Sequence, residues 1–219
     1  MVCHDDLVTG PLLIDLWSDV VCPFCYLGSR QLDLALERFE HRDDVDVVLH
    51  AFELDPNATP STVGLDELLA TKYSMPLERS RALHDRLSQQ AASMGLTWAL
   101  DRARSTNTFD AHRLIALATT QGLGAEMARR LHAAYFSDGL LVSDASTLDR
   151  LAAEVGVSGS SSLWSSDEFA EAVRADELLA HQLGITGVPA FVVDRSYLIS
   201  GAQGVDAIVD VLVRAWTER

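Results

Sequence analysis

The stretch Ser18–Gly28, SDVVCPFCYLG, decides how this 219-residue chain reads, because it holds two of only three cysteines. Cys22 and Cys25 flank Pro23 and Phe24. On a helix, side chains at i and i+3 are neighbours, with Cβ atoms roughly 5–6 Å apart. A disulfide asks for much the same, with Cα atoms about 4.4–6.8 Å apart. Pro23 has no N–H to satisfy and suits a first helical turn. Leu32, Leu36 and Phe39 then recur at helical spacing, so a helix follows the motif. Cys22 is thereby placed at the helix start, beside unpaired N–H donors and the positive end of the helix dipole, which favour a thiolate. Cys25, one turn further in, is expected to be buried and less ionised. The spacing predicts an exposed attacking sulfur at Cys22 and a resolving sulfur at Cys25.

A metal site or a structural crosslink would also use a close cysteine pair. Structural zinc takes four ligands, typically in two spaced pairs. The chain has no second Cys-x-x-Cys and no His-x-x-x-His, and Cys3 stands alone. A crosslink between Cys22 and Cys25 closes a tiny loop and removes little chain entropy. Redox chemistry is the reading that remains, with no metal expected. Cys3 reads as a free thiol on a terminus or as a regulatory one.

The formal net charge is −15, a field that repels nucleic acid and anionic membrane surfaces. The opening MVCHDDLVTGPLLIDLW carries acids where a secretory signal needs positive charge, and no apolar run reaches 18 residues. The expectation is a cytoplasmic protein, a setting in which close cysteine pairs are catalytic or metal-binding more often than structural. A 48% hydrophobic composition is enough for a well-buried core.

PLLIDLW (11–17) reads as a buried strand and VDVVLHAFEL (45–54) as a second. From about Gly64 to Gly156 the chain reads as helices. Pro76 marks one start and Gly95 its stop; Thr106 or Asn107 caps another, which Gly122 ends. Ser165 and Glu168 have capping-box spacing and open a helix that Gly184 closes. VPAFVVD and SYLISGA, parted by Asp194, Arg195 and Ser196, read as a hairpin. In the closing helix Val205, Ile208, Leu212 and Trp216 share one face. The fold class is therefore α/β: residues 11–62 and 165–219 make a thioredoxin-like unit, and 63–164 an all-helical insertion.

The motifs SDVVCPFCYLG, NTFDAHRL, GITGVPAFVVD and ISGAQ, in this order from about Leu12 to Trp216, resemble the DsbA-like family and its cytoplasmic FrnE-type subgroup. The resemblance implies a thiol–disulfide oxidoreductase or isomerase in which Cys22 attacks and Cys25 resolves. It makes Val188-Pro189 the loop whose proline is cis and lies against the cysteines, leaving the Val188 backbone to pair with an extended substrate. Pro23, Phe24, Val188, Pro189, Asn107 and His112 then fall on the substrate side, with Asn107 and His112-Arg113 in the insertion. Substrates would be protein or small-molecule disulfides and thiols. No bound cofactor is implied, with glutathione as a co-substrate, and the chain would be a monomer or a homodimer. Phe24 stands where the FrnE-type pattern most often has Trp and many periplasmic DsbA proteins have a thiolate-stabilising His, so a strongly oxidising potential is not expected. Kappa-class glutathione transferases and 2-hydroxychromene-2-carboxylate isomerases are similar over the same span, but they typically carry Ser for the first cysteine. A non-catalytic peptide-binding module is the third reading.

Other residues keep two readings. His112 orients substrate or fills a packing position, and Asn107 meets substrate or caps its helix. Asp15 takes a proton from Cys25 or faces solvent. His50 reads as a partly exposed strand residue.

Overall fold

A computed structural model describes residues 10–72 and 74–219, so Cys3 lies outside the described residues. Strand β1 (Leu12–Ser18) alternates cleanly between two faces of a sheet. Leu12, Ile14 and Leu16 are buried with residues of helices α1 (Pro23–Arg38) and α9 (Val205–Thr217). Trp17 faces the other way, toward Ala180 of α8 (Ala170–Gln182), Ile185 and Ala190. Strand β2 (Val45–Ala51) pairs parallel to β1, and β3 (Ala190–Val193) pairs antiparallel on its other side. Strand β4 (Tyr197–Ser200) completes the sheet order β2-β1-β3-β4, the topology of a thioredoxin-like fold. The hairpin turn runs through Asp194 and Arg195, both with positive φ.

Between β2 and α8 come α2 (Leu65–Lys72), α3 (Leu77–Ser93), α4 (Phe109–Thr120), α5 (Gly124–Phe136), α6 (Ala145–Val155) and α7 (Ser160–Leu163). Their core gathers Leu114, Met127, Leu131, Phe136, Leu148 and Leu151, and it takes in Val20 and Tyr26 from either side of the cysteines. The helices and the motif therefore share one apolar interior.

Two elements differ from their sequence reading. The second strand stops at Ala51, not at residue 54, because the Leu54 N–H donates to the Asp19 carboxylate at 2.8 Å and leaves the sheet direction. The helix expected from Ser165 starts at Ala170, after Phe169 at φ 60°. Its capping box does not form, and the Ser165 hydroxyl donates back to the Ser162 carbonyl. The cause is Arg113. Its buried guanidinium donates to the carbonyls of Leu163, Ser166 and Glu168 at 2.7, 2.5 and 2.8 Å and pairs with Asp110 at 2.8 Å. Those carbonyls are held in a loop around the guanidinium, a planar fork of donors that no intrahelical pattern could match.

Gly28 sets how closely α1 approaches β3. A Cβ at this position would lie 2.8 Å from Pro189 Cγ and 3.2 Å from Phe191 Cζ. The proline ring has no flexible end to move aside. Gly28→Ala is expected to destabilise the fold by about 1–3 kcal/mol, the usual range for overpacking. Urea denaturation measures this, and an unchanged midpoint would contradict the close contact.

His50 joins three elements. Its Nε2 lies 2.8 Å from Asp15 Oδ1 and its Nδ1 lies 2.6 Å from Asp176 Oδ1. Its ring stacks on Trp17 with centroids 4.3 Å apart. Asp176 also accepts the Ala51 N–H and, through its carbonyl, the Trp17 indole N–H. Two carboxylates facing both ring nitrogens require both to be donors, the imidazolium form. Burial pulls the His50 pKa down, but the bonds to Asp176 and then Asp15 outweigh it, and the net displacement is upward. His50 is thus the partly exposed strand residue expected from the sequence, and it also links two strands to α8. A raised folded-state pKa gives stability that is complete below the unfolded value of about 6.5 and is lost as pH rises through the folded value. The stability gap between the wild type and His50→Gln should therefore be wider at pH 6 than at pH 9 in urea titrations. A gap independent of pH would rule out the imidazolium.

Candidate active site

Cys22 occupies the N-cap of α1 in extended conformation, and Pro23 takes the first helical position. The Cys22 carbonyl accepts from the Cys25 and Tyr26 N–H groups at 3.0 and 3.2 Å. The turn thus stacks Cys25 one helical step behind Cys22, and both are free thiols.

The facing surface comes from a chain segment 166 residues away. Val188-Pro189 is a cis peptide, and the Cys22 thiol donates to the Val188 carbonyl at 3.5 Å. Pro189 is buried against Gly28, and its carbonyl accepts the Gly201 N–H at 2.7 Å. This contact corrects one expectation. Cys22 is not exposed: it is 3% accessible, because the Val188 loop sits over its sulfur. The exposed group at this end of α1 is Phe24, at 42%.

Cys25 is fully buried. Burial pushes its thiol well up from the usual range, and its hydrogen bond to Cys22 and the charge there add to the rise. The Asp19 N–H, 3.4 Å from the Cys25 sulfur, and Ser18 act in the opposite direction.

Asp19 went unread in the sequence, yet it touches more of the site than any residue proposed there. Its carbonyl accepts the Cys22 N–H at 3.1 Å and faces His132 Nε2 of α5 at 3.3 Å. Its Oδ2 accepts the Leu54 N–H, and its Oδ1 lies 3.4 Å from His112 Nε2 of α4. Asp19 and His112 are both buried. His132 can only donate to a carbonyl, and burial lowers its pKa to about 4, so it stays neutral. The available sequence signal was an aspartate three residues before Cys22, at the end of an apolar strand.

His112 therefore sits beside the cysteines, behind Asp19. Asn107 is committed inside the protein. Its Oδ1 accepts the Phe109 N–H at 2.9 Å, and its Nδ2 donates to Glu53 Oε1 at 3.2 Å and the Pro56 carbonyl at 3.0 Å. It ties the start of α4 to the segment after β2, while Thr106 instead donates to Ser143. Glu53 is buried, and burial raises its pKa although Arg174 pairs with it at 2.7 Å. Arg174 in turn lies over the Phe109 ring at 4.3 Å. Asp15 takes neither expected role: it binds His50 and faces neither Cys25 nor open solvent. Among the described residues no group of three or more His, Cys, Asp or Glu is arranged to hold a metal ion.

The DSBA-like thioredoxin domain matches residues 13–213. A probable DsbA oxidoreductase from Streptomyces coelicolor is 38% identical, with a TM-score of 0.90 over 95% of this chain and 91% of that one. The Bacillus subtilis protein YwbO is 27% identical over 199 residues, which is 88% of this chain and 92% of that protein. The cytosolic disulfide reductase DsbM from Pseudomonas aeruginosa, solved with GSH, shares the fold: 22% identity and a TM-score of 0.66 over 93% of this chain and all of that one. A reduced cysteine pair at a helix start, a cis-proline loop across from it and a family match over most of the chain lead to one assignment: this chain is a thiol–disulfide oxidoreductase of the DsbA-like thioredoxin-domain family.

Proposed function

We propose that Cys22 attacks a substrate disulfide and Cys25 then displaces the product, so that the pair is oxidised while the substrate is reduced. The observation that carries these roles is the contact of the Cys22 sulfur with the Val188 carbonyl, with Cys25 buried behind it. A substrate sulfur approaching along the Val188 loop meets Cys22 first and cannot reach Cys25. Pro23 and Phe24 lie at the mouth, and Phe24 offers an exposed ring to an apolar group beside the disulfide. In this reading the Val188 backbone pairs with an extended peptide once its carbonyl releases the Cys22 thiol, and Asn107 and His112 act from within, by holding α4 in position.

The direction we favour is reduction in the cytoplasm, by a FrnE-type enzyme with glutathione as the thiol that recycles it. Phe24 supports this direction, since no side chain at that position adds a hydrogen bond to a thiolate, and strongly oxidising pairs depend on a stabilised reduced form. The fold shared with a cytosolic disulfide reductase solved with GSH supports the choice of compartment and co-substrate. Cysteine at both positions favours exchange over the glutathione-transferase and isomerase chemistries.

Insulin reduction with glutathione as the electron source tests this reading. Cys22→Ser is expected to fall to the uncatalysed background. Cys25→Ser should stop as a mixed disulfide on Cys22, visible as an adduct in intact-mass spectra. Wild-type turnover in Cys22→Ser would sink the proposal, and glutathione conjugation that survived that substitution would move the chain to the transferase class.

A further inference from the structure

Resting on the exchange reading above, a second question is where the Cys25 proton goes. In the reduced protein Cys25 has Cys22 as a hydrogen-bond partner. Once Cys22 is bound to a substrate sulfur it is no longer a thiolate that could take the proton, and a fully buried thiol must still ionise before it can attack.

A cavity of about 50 Å³ is lined in part by Ser18, His112 and His132. One water needs roughly 10–15 Å³ of such space and two or more polar neighbours. Three buried polar atoms here have no hydrogen-bond partner among the described residues: Ser18 Oγ, His112 Nε2 and Asp19 Oδ1. Ser18 lies against Cys25 and favours its thiolate. His112 Nε2 and Asp19 Oδ1 face each other at 3.4 Å without the angles of a hydrogen bond. Unpartnered buried polar atoms are rare and call for an explanation. Ser18 and His112 line the cavity, and Asp19, next in the chain after Ser18 and 3.4 Å from His112, points its N–H at the thiol that must lose a proton.

The other groups around the cavity are committed. His132 is held as a neutral donor to the Asp19 carbonyl. His50 is bonded on both nitrogens by Asp15 and Asp176. Glu53, which faces His112, is paired with Arg174, itself bound to Glu177. Tyr135, which faces Asp19, donates its hydroxyl to the Arg104 carbonyl. The Asp19–His112 pair is left.

We propose that the Asp19–His112 pair receives the Cys25 proton, by way of Ser18 and a water in the cavity, as Cys25 displaces a substrate held on Cys22. The step balances. The Cys25 S–H bond breaks and its proton passes to the pair. The Cys25 thiolate attacks the Cys22 sulfur, the Cys22–substrate S–S bond breaks, and the Cys22–Cys25 disulfide forms. The substrate leaves as a thiolate, having taken two electrons over the whole cycle, and the pair later returns its proton to solvent.

The test uses the reduced full-length chain with Cys3→Ser, so that only the pair reports, and the disulfide 5,5′-dithiobis(2-nitrobenzoate). In stopped flow the first coloured thiolate marks attack by Cys22 and the second marks displacement by Cys25. Asp19→Asn and His112→Gln should lower the rate of the second phase relative to the first by about a hundredfold at pH 7, the low end of general acid–base effects. The deficit should shrink at pH 9, where hydroxide can take the proton. Ser18→Ala, which removes no hydrogen bond completed in the structure, should slow the second phase alone and repeats the test without touching Leu54. A normal second phase in all three variants overturns the proposal, as does equal slowing of both phases or a deficit that persists at pH 9. If the Cys3→Ser parent itself releases no second thiolate, the exchange reading fails, and the proposal with it.

Discussion

Asp19 commits each of its polar groups to a different part of the molecule. Its N–H points at the Cys25 sulfur, and its carbonyl takes the Cys22 N–H that would otherwise be free at the start of α1. The same carbonyl meets His132 of α5, one carboxylate oxygen bends the chain away from β2 at Leu54, and the other faces His112 of α4. A single hydrogen bond contributes about 1 kcal/mol net, so none of these ties is large alone. Their effect is geometric. They fix the turn between β1 and α1 against three separate segments, and that turn sets where both sulfurs lie. The turn that carries the site is thus tied to α4, α5 and the segment after β2 at once.

The Val188 loop supplies the other half of the constraint. Gly28 lets the buried Pro189 ring press on α1, and the hairpin that follows is anchored on β1 by antiparallel pairing from Ile14 to Trp17. The Cys22 thiol and the Val188 carbonyl are therefore positioned by two elements that share one sheet. A substrate sulfur has to displace that contact to reach Cys22. In the proposed exchange, access to Cys22 is therefore controlled by a main-chain oxygen.

Much of this was legible in the sequence. The cysteine spacing, Pro23 and the apolar period after it located α1, and GITGVPAFVVD located the loop and strand that face it. What escaped the reading has physical causes. Asp15 and Asp19 look equally near the motif, but strand alternation puts Asp15 on the face of Trp17 and His50, while Asp19 lies past the strand end, where the chain turns toward Cys25. The late start of α8 depends on Arg113, more than 50 residues earlier, drawing in the Ser166 and Glu168 carbonyls that local capping rules assign to a helix. Burial of Cys22 depends on Val188, whose approach no local pattern encodes. Each miss is a long-range polar contact overriding a sound local rule.

The helices between β2 and α8 have a consequence for the chemistry that follows from where their side chains go. His112 and His132 reach the turn at Asp19 from α4 and α5, and the apolar core of these helices closes around Val20 and Tyr26. In a bare thioredoxin-like unit Asp19 would face water. Covered by these helices, it and Cys25 are buried, where an isolated charge is costly and a thiol is harder to ionise. The same helices that impose this cost bring the polar groups able to offset it, two imidazoles within 3.4 Å of Asp19 atoms. The block is thus more than a cover over the cysteines: it sets the dielectric in which Cys25 must react and furnishes the polar partners that reaction requires.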